Sequence, residues 1–136
     1  MSASELRLCC PAQSQYVAPV RHALTAFLQV LQLDRQPVDD ITTAAGEALA
    51  NIIEHAYAGG VPAAETYLEL HARTNENGRI AIDVSDRGSF ITRQALPGRG
   101  FGLKIIRAIA AQLTIDTSEG TRVQMVFERK SDARHH

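Results

Sequence analysis

The sequence predicts an α+β fold in which helices cover one face of a largely antiparallel sheet. Apolar residues recur three and four positions apart in the longer segments, as amphipathic helices require. They alternate with polar residues in shorter segments, as strands with one buried face require. The two kinds of segment alternate in groups, without an internal repeat or a long linker. A length of 136 residues with 45% hydrophobic content suits one core and is too short for two ordinary domains.

The first half of the chain predicts one strand and two helices. Residues 5–11 alternate polar and apolar before a proline, which predicts a short strand at a sheet edge. Residues 15–33 place apolar side chains at helical spacing and predict an amphipathic helix. Residues 37–57 predict a second helix, which the glycine and proline cluster at 58–62 ends.

The second half predicts a hairpin, a third helix and a closing pair of strands. The hairpin strands are at 66–74 and 79–85, because an Asn-Gly turn signal stands between them. Residues 114–116 and 121–127 predict the closing strands. The third helix is predicted from apolar residues at helical spacing, which are Ile105, Ile106, Ile109, Ala110 and Leu113.

Composition narrows the possible partners and the compartment. The chain has 14 basic and 15 acidic residues and no basic cluster, so we do not expect a nucleic acid partner. Cys9 and Cys10 are adjacent, which ordinary disulfide geometry does not readily allow, and we expect both to be reduced. No segment resembles a signal peptide or a membrane span, which predicts a cytoplasmic protein without a membrane partner. We expect one domain over residues 1–130 and a tail at 131–136 with tag-like histidines.

The helix at 37–57 is predicted to have a polar face opposite its apolar one. Glu47, Asn51, Glu54 and His55 fall on one side of a helical wheel. An asparagine oxygen suits a hard cation such as Mg²⁺, which takes its other ligands from water and substrate phosphates. A carboxylate one turn earlier could orient or deprotonate an incoming hydroxyl. The alternative is a solvated helix face.

Two further segments have residue types suited to a nucleotide. Asp86 ends a predicted strand and could accept a hydrogen bond from an exocyclic amine, while Gly88 would let a planar ring approach. An ordinary Asp-x-Gly turn is the alternative. Glycines at 98, 100 and 102 precede the third helix, where converging N–H groups and the helix dipole favour a phosphate. A plain helix-capping loop is the alternative, and we expect Lys104 and Arg107 to face solvent.

Taken in their order along the chain, four segments of the sequence resemble the conserved boxes of an ATP-binding domain. This domain is shared by gyrase, histidine-kinase and MutL ATPases and is called the Bergerat or GHKL fold. Residues 46–57 resemble its N box, 86–88 its adenine-binding box, 98–103 its glycine box and 120–121 its last box. The resemblance extends from the first strand to about Phe127. It implies a two-layer sandwich that binds ATP and Mg²⁺.

Within that group, the form of the N box most resembles the anti-sigma factor serine kinases. The resemblance implies that Asn51 coordinates Mg²⁺, that Glu47 is the base for a substrate serine, and that Asp86 holds the adenine amine. Gly88 and Thr121 would belong to the adenine side. The triphosphate would be bordered by Gly98, Gly100, Phe101, Gly102 and Leu103.

Members of that family work by partner switching. The resemblance implies binding to a sigma factor or another regulatory target, and phosphorylation of a STAS-domain antagonist on serine; it also allows a homodimer. A non-catalytic, nucleotide-gated binding module is the alternative to a kinase. Glu47 distinguishes these two functions, because a binding module does not need a carboxylate beside Asn51.

The chain departs from the family in the short stretch 91–97 and in Ser89-Phe90, which predicts rapid nucleotide release.

Overall fold

The computed structural model describes residues 4–58, 67–75, 78–87, 100–116 and 121–128. Five strands form one sheet in the order β1-β2-β3-β5-β4, and every neighbouring pair is antiparallel. This confirms the α+β prediction and places the first strand at a sheet edge. Within the described residues, the elements are β1 (Glu5–Pro11), a short 3-10 helix (Ser14–Tyr16), α1 (Val17–Val30), α2 (Arg35–Ala58), β2 (Tyr67–Thr74), β3 (Ile80–Arg87), α3 (Gly100–Ile109), β4 (Gln112–Asp116) and β5 (Arg122–Phe127).

One apolar cluster joins the sheet to the helices. Alternate residues of the three central strands are buried, as the period of two requires, and they are Leu68, Leu70, Ala72, Ile80, Ile82, Val84, Val123, Met125 and Phe127. The helices bury residues at helical spacing against them, including Leu24, Leu28, Leu49, Ile52 and Ile106. α2 contacts α1, α3 and β3, and it is therefore the central helix of the layer.

The hairpin between β2 and β3 forms as predicted. Thr74 pairs with Ile80, and the Gly78 N–H donates to the Asn75 carbonyl oxygen at 3.1 Å. Gly78 has φ of 83°, a conformation that glycine adopts without steric cost. The Asn75 side chain accepts a hydrogen bond from the Arg79 N–H at 3.0 Å, which completes the turn.

The end of α3 differs from the sequence-based expectation. Leu113 was expected in the helix, but α3 ends at Ile109 and Leu113 lies in β4. The Ala111 N–H already donates to the Val126 carbonyl oxygen at 2.8 Å, so the chain has joined the sheet there. The prediction failed because Leu113 lies four residues after Ile109, which fits a helix, and also between two exposed residues, which fits a strand.

The outer face of the sheet has a network of charged side chains across four strands. Asp83 is 8% exposed, and its Oδ2 lies 3.0 Å from Arg122 and 3.4 Å from Arg73. Beside it, His71 Nε2 lies 2.8 Å from a Glu5 carboxylate oxygen. The opposite, inner face is the one that the helices cover. No helix within the described residues is long and apolar enough to cross a membrane.

Candidate functional site

α2 has the two faces that its sequence predicted. Ala45, Leu49, Ile52 and Ile53 are buried in the core. On the other side Glu47 and Asn51 are half-buried and Glu54 is exposed, whereas the side chain of His55 lies outside the described part of the chain. Pro37 stands in the first turn, where a missing N–H removes no intrahelical hydrogen bond. The apolar face fixes the rotation of the helix, so the core packing also sets where Glu47 and Asn51 lie.

Asn51 places a buried amide nitrogen on the polar side of α2. Among the residues that the structure describes, none accepts a hydrogen bond from Asn51 Nδ2. A buried polar group without a partner costs about 1–3 kcal/mol, so such groups mark strain or a place for water or a ligand. The carboxamide oxygen and nitrogen exchange places when the group rotates by half a turn. Asn51 is therefore able to turn an oxygen towards a cation without breaking a bond made by its nitrogen.

Asp86 and Thr121 lie together although 35 positions separate them in the chain. The Thr121 N–H donates to Asp86 Oδ1 at 3.2 Å, and the Asp86 N–H donates to the Thr121 carbonyl oxygen at 3.0 Å. Both residues are buried, at 6% and 1% exposure. These bonds join the end of β3 to the start of β5 and hold the carboxylate in one orientation. A fixed carboxylate of this kind can accept a hydrogen bond from an amine.

The Thr121 hydroxyl is the second buried polar group at this point. Its oxygen has no hydrogen-bond partner within the part of the chain that the structure describes. A hydroxyl both donates and accepts, so it suits either a water molecule or a polar edge of a planar ligand. The sequence suggested Thr121 only through the resemblance of residues 120–121 to the last box of the GHKL fold. Its burial beside Asp86 depends on the register of β3 and β5, in which Ser85 pairs with Arg122.

The glycine segment lies partly inside a helix. Gly100, Phe101, Gly102 and Leu103 form the first turn of α3, whereas Gly88 and Gly98 lie outside the described residues, as does the stretch 91–97. The first N–H groups of a helix lack intrahelical partners and lie at the positive end of the helix dipole. The first turn has no acidic residue that would compete for them. Lys104 and Arg107 are exposed, as expected.

Gly46 and Arg21 were not singled out from the sequence. A Cβ on Gly46 would lie 3.0 Å from Cδ and 3.3 Å from Nε of Arg21, so the arginine side chain of α1 lies directly on α2 at the residue before Glu47. Contacts between helices depend on their packing angle. A single sequence does not predict the packing angle between two helices. The one available indication is a small residue on a helix surface, such as Gly46.

The donor set fits a hard cation held jointly with a ligand. In the described ranges, no group of three or more histidine, cysteine or acidic residues could hold a metal by itself. Asn51 has one amide oxygen of the type that binds such a cation, and Glu47 is one turn earlier on the same face. Mg²⁺ is typically bound by one or two protein oxygens together with waters and substrate phosphates, and this donor set is of that kind.

The chain matches the family described as Histidine kinase-like ATPase domain over residues 10–127. Among named relatives, it is 23% identical over 142 residues to an anti-sigma F factor of Clostridium beijerinckii, with 96% of each chain covered. It is 26% identical over 137 residues to the serine-protein kinase RsbW of Bacillus mycoides, covering 89% of this chain and 82% of the relative.

Two solved structures have the same fold. The SiaB–SiaC complex from Pseudomonas aeruginosa matches with a TM-score of 0.70 and 15% identity, covering 90% of this chain and 88% of that one. The RsbU and RsbW domains of Rv1364c from Mycobacterium tuberculosis match with a TM-score of 0.73 and 23% identity, covering 96% of this chain and 34% of that one. The match of residues 10–127 to this family model shows that the chain belongs to the histidine kinase-like ATPase domain family, and its α+β fold is of the GHKL type.

Proposed function

We propose that this protein is a Mg·ATP-dependent protein-serine kinase that acts in the cytoplasm by partner switching. It phosphorylates a STAS-domain antagonist on serine and sequesters a sigma factor or another regulatory target. The family supports ATP binding, and the relatives named anti-sigma F factor and serine-protein kinase RsbW support the regulatory role. The observation that most supports a site on α2 is the buried amide nitrogen of Asn51, one turn from Glu47, for which the described part of the chain offers no hydrogen-bond partner.

In the proposed reaction, each residue has one task. Asp86 accepts a hydrogen bond from the adenine amine, and the Thr121 hydroxyl meets the same side of the base. The first turn of α3, with Gly100, Phe101, Gly102 and Leu103, borders the phosphates; Gly88 and Gly98 are assigned to the adenine and phosphate sides from the sequence alone. Asn51 offers its oxygen to Mg²⁺, which when bound neutralises phosphate charge.

Glu47 is the proposed general base. Its carboxylate accepts the proton of the substrate serine while the serine oxygen attacks the γ-phosphorus and the bond to the β-phosphate oxygen breaks, leaving ADP. A carboxylate in this role needs to be within hydrogen-bond reach of the hydroxyl. A half-buried position on α2 suits it, because the side chain is held by the helix and is still reachable from outside.

Binding of Mg·ATP should depend on Asn51. We expect Asn51→Ala to weaken the Mg²⁺-dependent part of ATP affinity by about tenfold or more. Mutation of a residue that only supports a metal ligand already lowers metal affinity by about 10–100-fold. Isothermal titration calorimetry with and without Mg²⁺ measures this. Thr43→Ala, at an exposed position on the same helix, is the matched control. Unchanged affinity and unchanged metal dependence in Asn51→Ala would remove Asn51 from the site.

Phosphotransfer should depend on Glu47 more than nucleotide binding does. We expect Glu47→Gln to keep its ATP affinity and to lose about 10²-fold or more in the rate of antagonist phosphorylation, the usual scale for loss of a general base. Radiolabelled phosphate transfer and calorimetry on the same preparation separate the two effects. Transfer at the wild-type rate would instead support the alternative interpretation, a nucleotide-gated binding module without catalysis.

A further inference from the structure

Two neighbouring thiols lie on opposite faces of the edge strand β1. Cys9 is exposed on the outer face, whereas Cys10 faces inwards, is half-buried and packs against the core. A disulfide needs its two Cβ atoms on the same side, about 3.5–4.5 Å apart, which an extended strand does not provide for neighbours. Pairing of β1 with β2 therefore keeps both thiols reduced, and the proposed kinase reaction uses neither of them.

The two thiols differ in their access to solvent. Burial raises the pKa of Cys10 above its ordinary value, and the neighbouring Cys9 raises it further. The thiolate is the form that attacks a disulfide, so burial keeps Cys10 unreactive while β1 stays paired. Cys9 is the thiol that a reagent from solution meets first.

The cysteine pair lies in the part of β1 that is easiest to open. In the described ranges β1 has one neighbouring strand, β2, and Cys10 pairs there with Leu68. Pro11 follows directly and has no N–H to donate to the ladder. The other end is tied more firmly, because the Thr74 N–H donates to the Ser4 carbonyl oxygen at 3.0 Å and the Ser4 N–H to the Thr74 hydroxyl at 3.2 Å. Local opening at the cysteines therefore leaves the rest of the sheet paired.

We propose that Cys9 and Cys10 form a reversible dithiol switch, in which oxidation by a low-molecular-weight disulfide closes a ring between them and releases this end of β1. The Cys9 thiolate attacks one sulfur of the oxidant, so that a mixed disulfide forms and one thiolate leaves. Opening of the strand then lets Cys10 lose its proton and attack the Cys9 sulfur, which expels the second thiolate. The two cysteines are oxidised together, and one oxidant molecule is reduced to two thiols, which take up the two protons.

The closed ring does not fit an extended strand, so the oxidised pair leaves its partners on β2. β1 leads through a short turn into α1, in which the Gln13 N–H donates to the Pro11 carbonyl oxygen at 2.8 Å. α1 contacts α2, where Arg21 lies on Gly46 directly before Glu47. Oxidation therefore loosens the segment that anchors α1 beside the helix of the candidate site. A strained ring is readily reduced, which makes the switch reversible. This inference goes beyond the proposed kinase function and does not depend on nucleotide chemistry.

Mass spectrometry of the folded full chain treated with glutathione disulfide tests the chemistry. The unmodified chain should pass through one glutathione adduct to a species that has lost two hydrogen atoms, with peptide mapping placing the bond between Cys9 and Cys10. Cys10→Ala should stop at the adduct on Cys9. Cys9→Ser should react at least about tenfold more slowly, because its remaining thiol faces the core. An unmodified chain that stays at the adduct, forms a disulfide between two chains, or reacts equally fast without Cys9 would overturn the proposal.

Hydrogen exchange followed by mass spectrometry tests the release of the strand. In the oxidised chain, the backbone amides around the cysteine pair should exchange at least about tenfold faster than in the reduced chain, because their ladder to β2 is open. The amides of β3 and β5 should not change, and dithiothreitol should restore the reduced pattern. Cys10→Ala with glutathione on Cys9 is the matched control and should keep its protection, since an adduct on the outer face closes no ring. Equal protection in the oxidised and reduced chains would contradict strand release, and neither result bears on ATP binding or phosphotransfer.

Discussion

Two buried polar atoms, on different elements, define the candidate site at the scale of single residues. Asn51 Nδ2 on α2 and Thr121 Oγ1 before β5 both lack a hydrogen-bond partner within the described ranges. Elsewhere in those ranges, the buried Thr42 hydroxyl donates to the Val38 carbonyl oxygen at 2.9 Å, as buried groups normally do. A polar ligand would explain why α2 and the residue before β5 each have a buried polar atom with no partner among the described residues.

Gly46 allows a prediction about stability. Alanine is favoured over glycine inside a helix by about 1 kcal/mol, but its Cβ would meet Arg21 Cδ at 3.0 Å. Arg21 is exposed, so the far end of its side chain should move by the few tenths of an ångström needed. We therefore expect Gly46→Ala to raise Tm slightly.

Thermal unfolding by circular dichroism measures the effect of Gly46→Ala. Arg21→Ala with Gly46→Ala is the informative double variant, since removing the arginine side chain removes the contact altogether. If Gly46→Ala alone lowers Tm and the double variant regains it, then Arg21 is held in place and the contact with α2 is rigid.

At the scale of elements, the local sequence patterns predicted most of the helices and strands. They predicted few of the contacts between segments that are distant in the chain. The period of α2 correctly separated Ala45 and Leu49 from Glu47 and Asn51, because one helix geometry relates all four. The bonds between Asp86 and Thr121 were not foreseen, because the register of β3 and β5 is set by the whole sheet. Leu113 was misassigned because its spacing satisfies a helix and a strand equally.

The edge strand β1 is tied to β2 by a pair of side chains that should respond to acid. The hydrogen bond from His71 holds the pKa of Glu5 below its ordinary 4.5, with a smaller opposing effect of desolvation and further lowering by the charges of His71, Arg7 and Arg73. A depressed carboxyl pKa means that the pair contributes stability above about pH 4.5, and that this contribution is lost as the pH falls through the lowered value.

We therefore expect His71→Phe to raise the pKa of Glu5 towards its ordinary value, as followed by NMR titration of the Glu5 carboxyl carbon. Glu5→Gln should lower Tm at neutral pH, and the difference from the unmodified chain should vanish at a pH below the lowered pKa. A Glu5 pKa that His71→Phe leaves unchanged would show that His71 is not the cause.

At the scale of the whole molecule, the candidate base and metal ligand lie in the layer of helices, and the sheet forms the opposite side. α2 contacts α1, α3 and β3, so the proposed base and metal ligand lie on the one helix that all three elements position. The charged network of Asp83, Arg73 and Arg122 is on the outer face of the sheet.

The same arrangement predicts how a phosphorylated antagonist leaves. An unmodified serine approaches the γ-phosphate as a neutral hydroxyl, whereas phosphoserine adds a charge of about −1.5 to −2 at neutral pH. Glu47 and the exposed Glu54 lie on the same side of α2, and ADP brings further negative charge, so the product is repelled where the substrate was not.

We expect the phosphorylated antagonist to bind the Mg·ADP form at least about tenfold more weakly than the unmodified one, a difference of about 1.4 kcal/mol. Calorimetry with a candidate STAS antagonist in both states measures this, and raising the salt concentration should narrow the gap, because exposed charges are screened. An antagonist with serine replaced by alanine should bind like the unmodified form. Equal affinities for the two states would reject electrostatic release even if phosphotransfer itself were demonstrated.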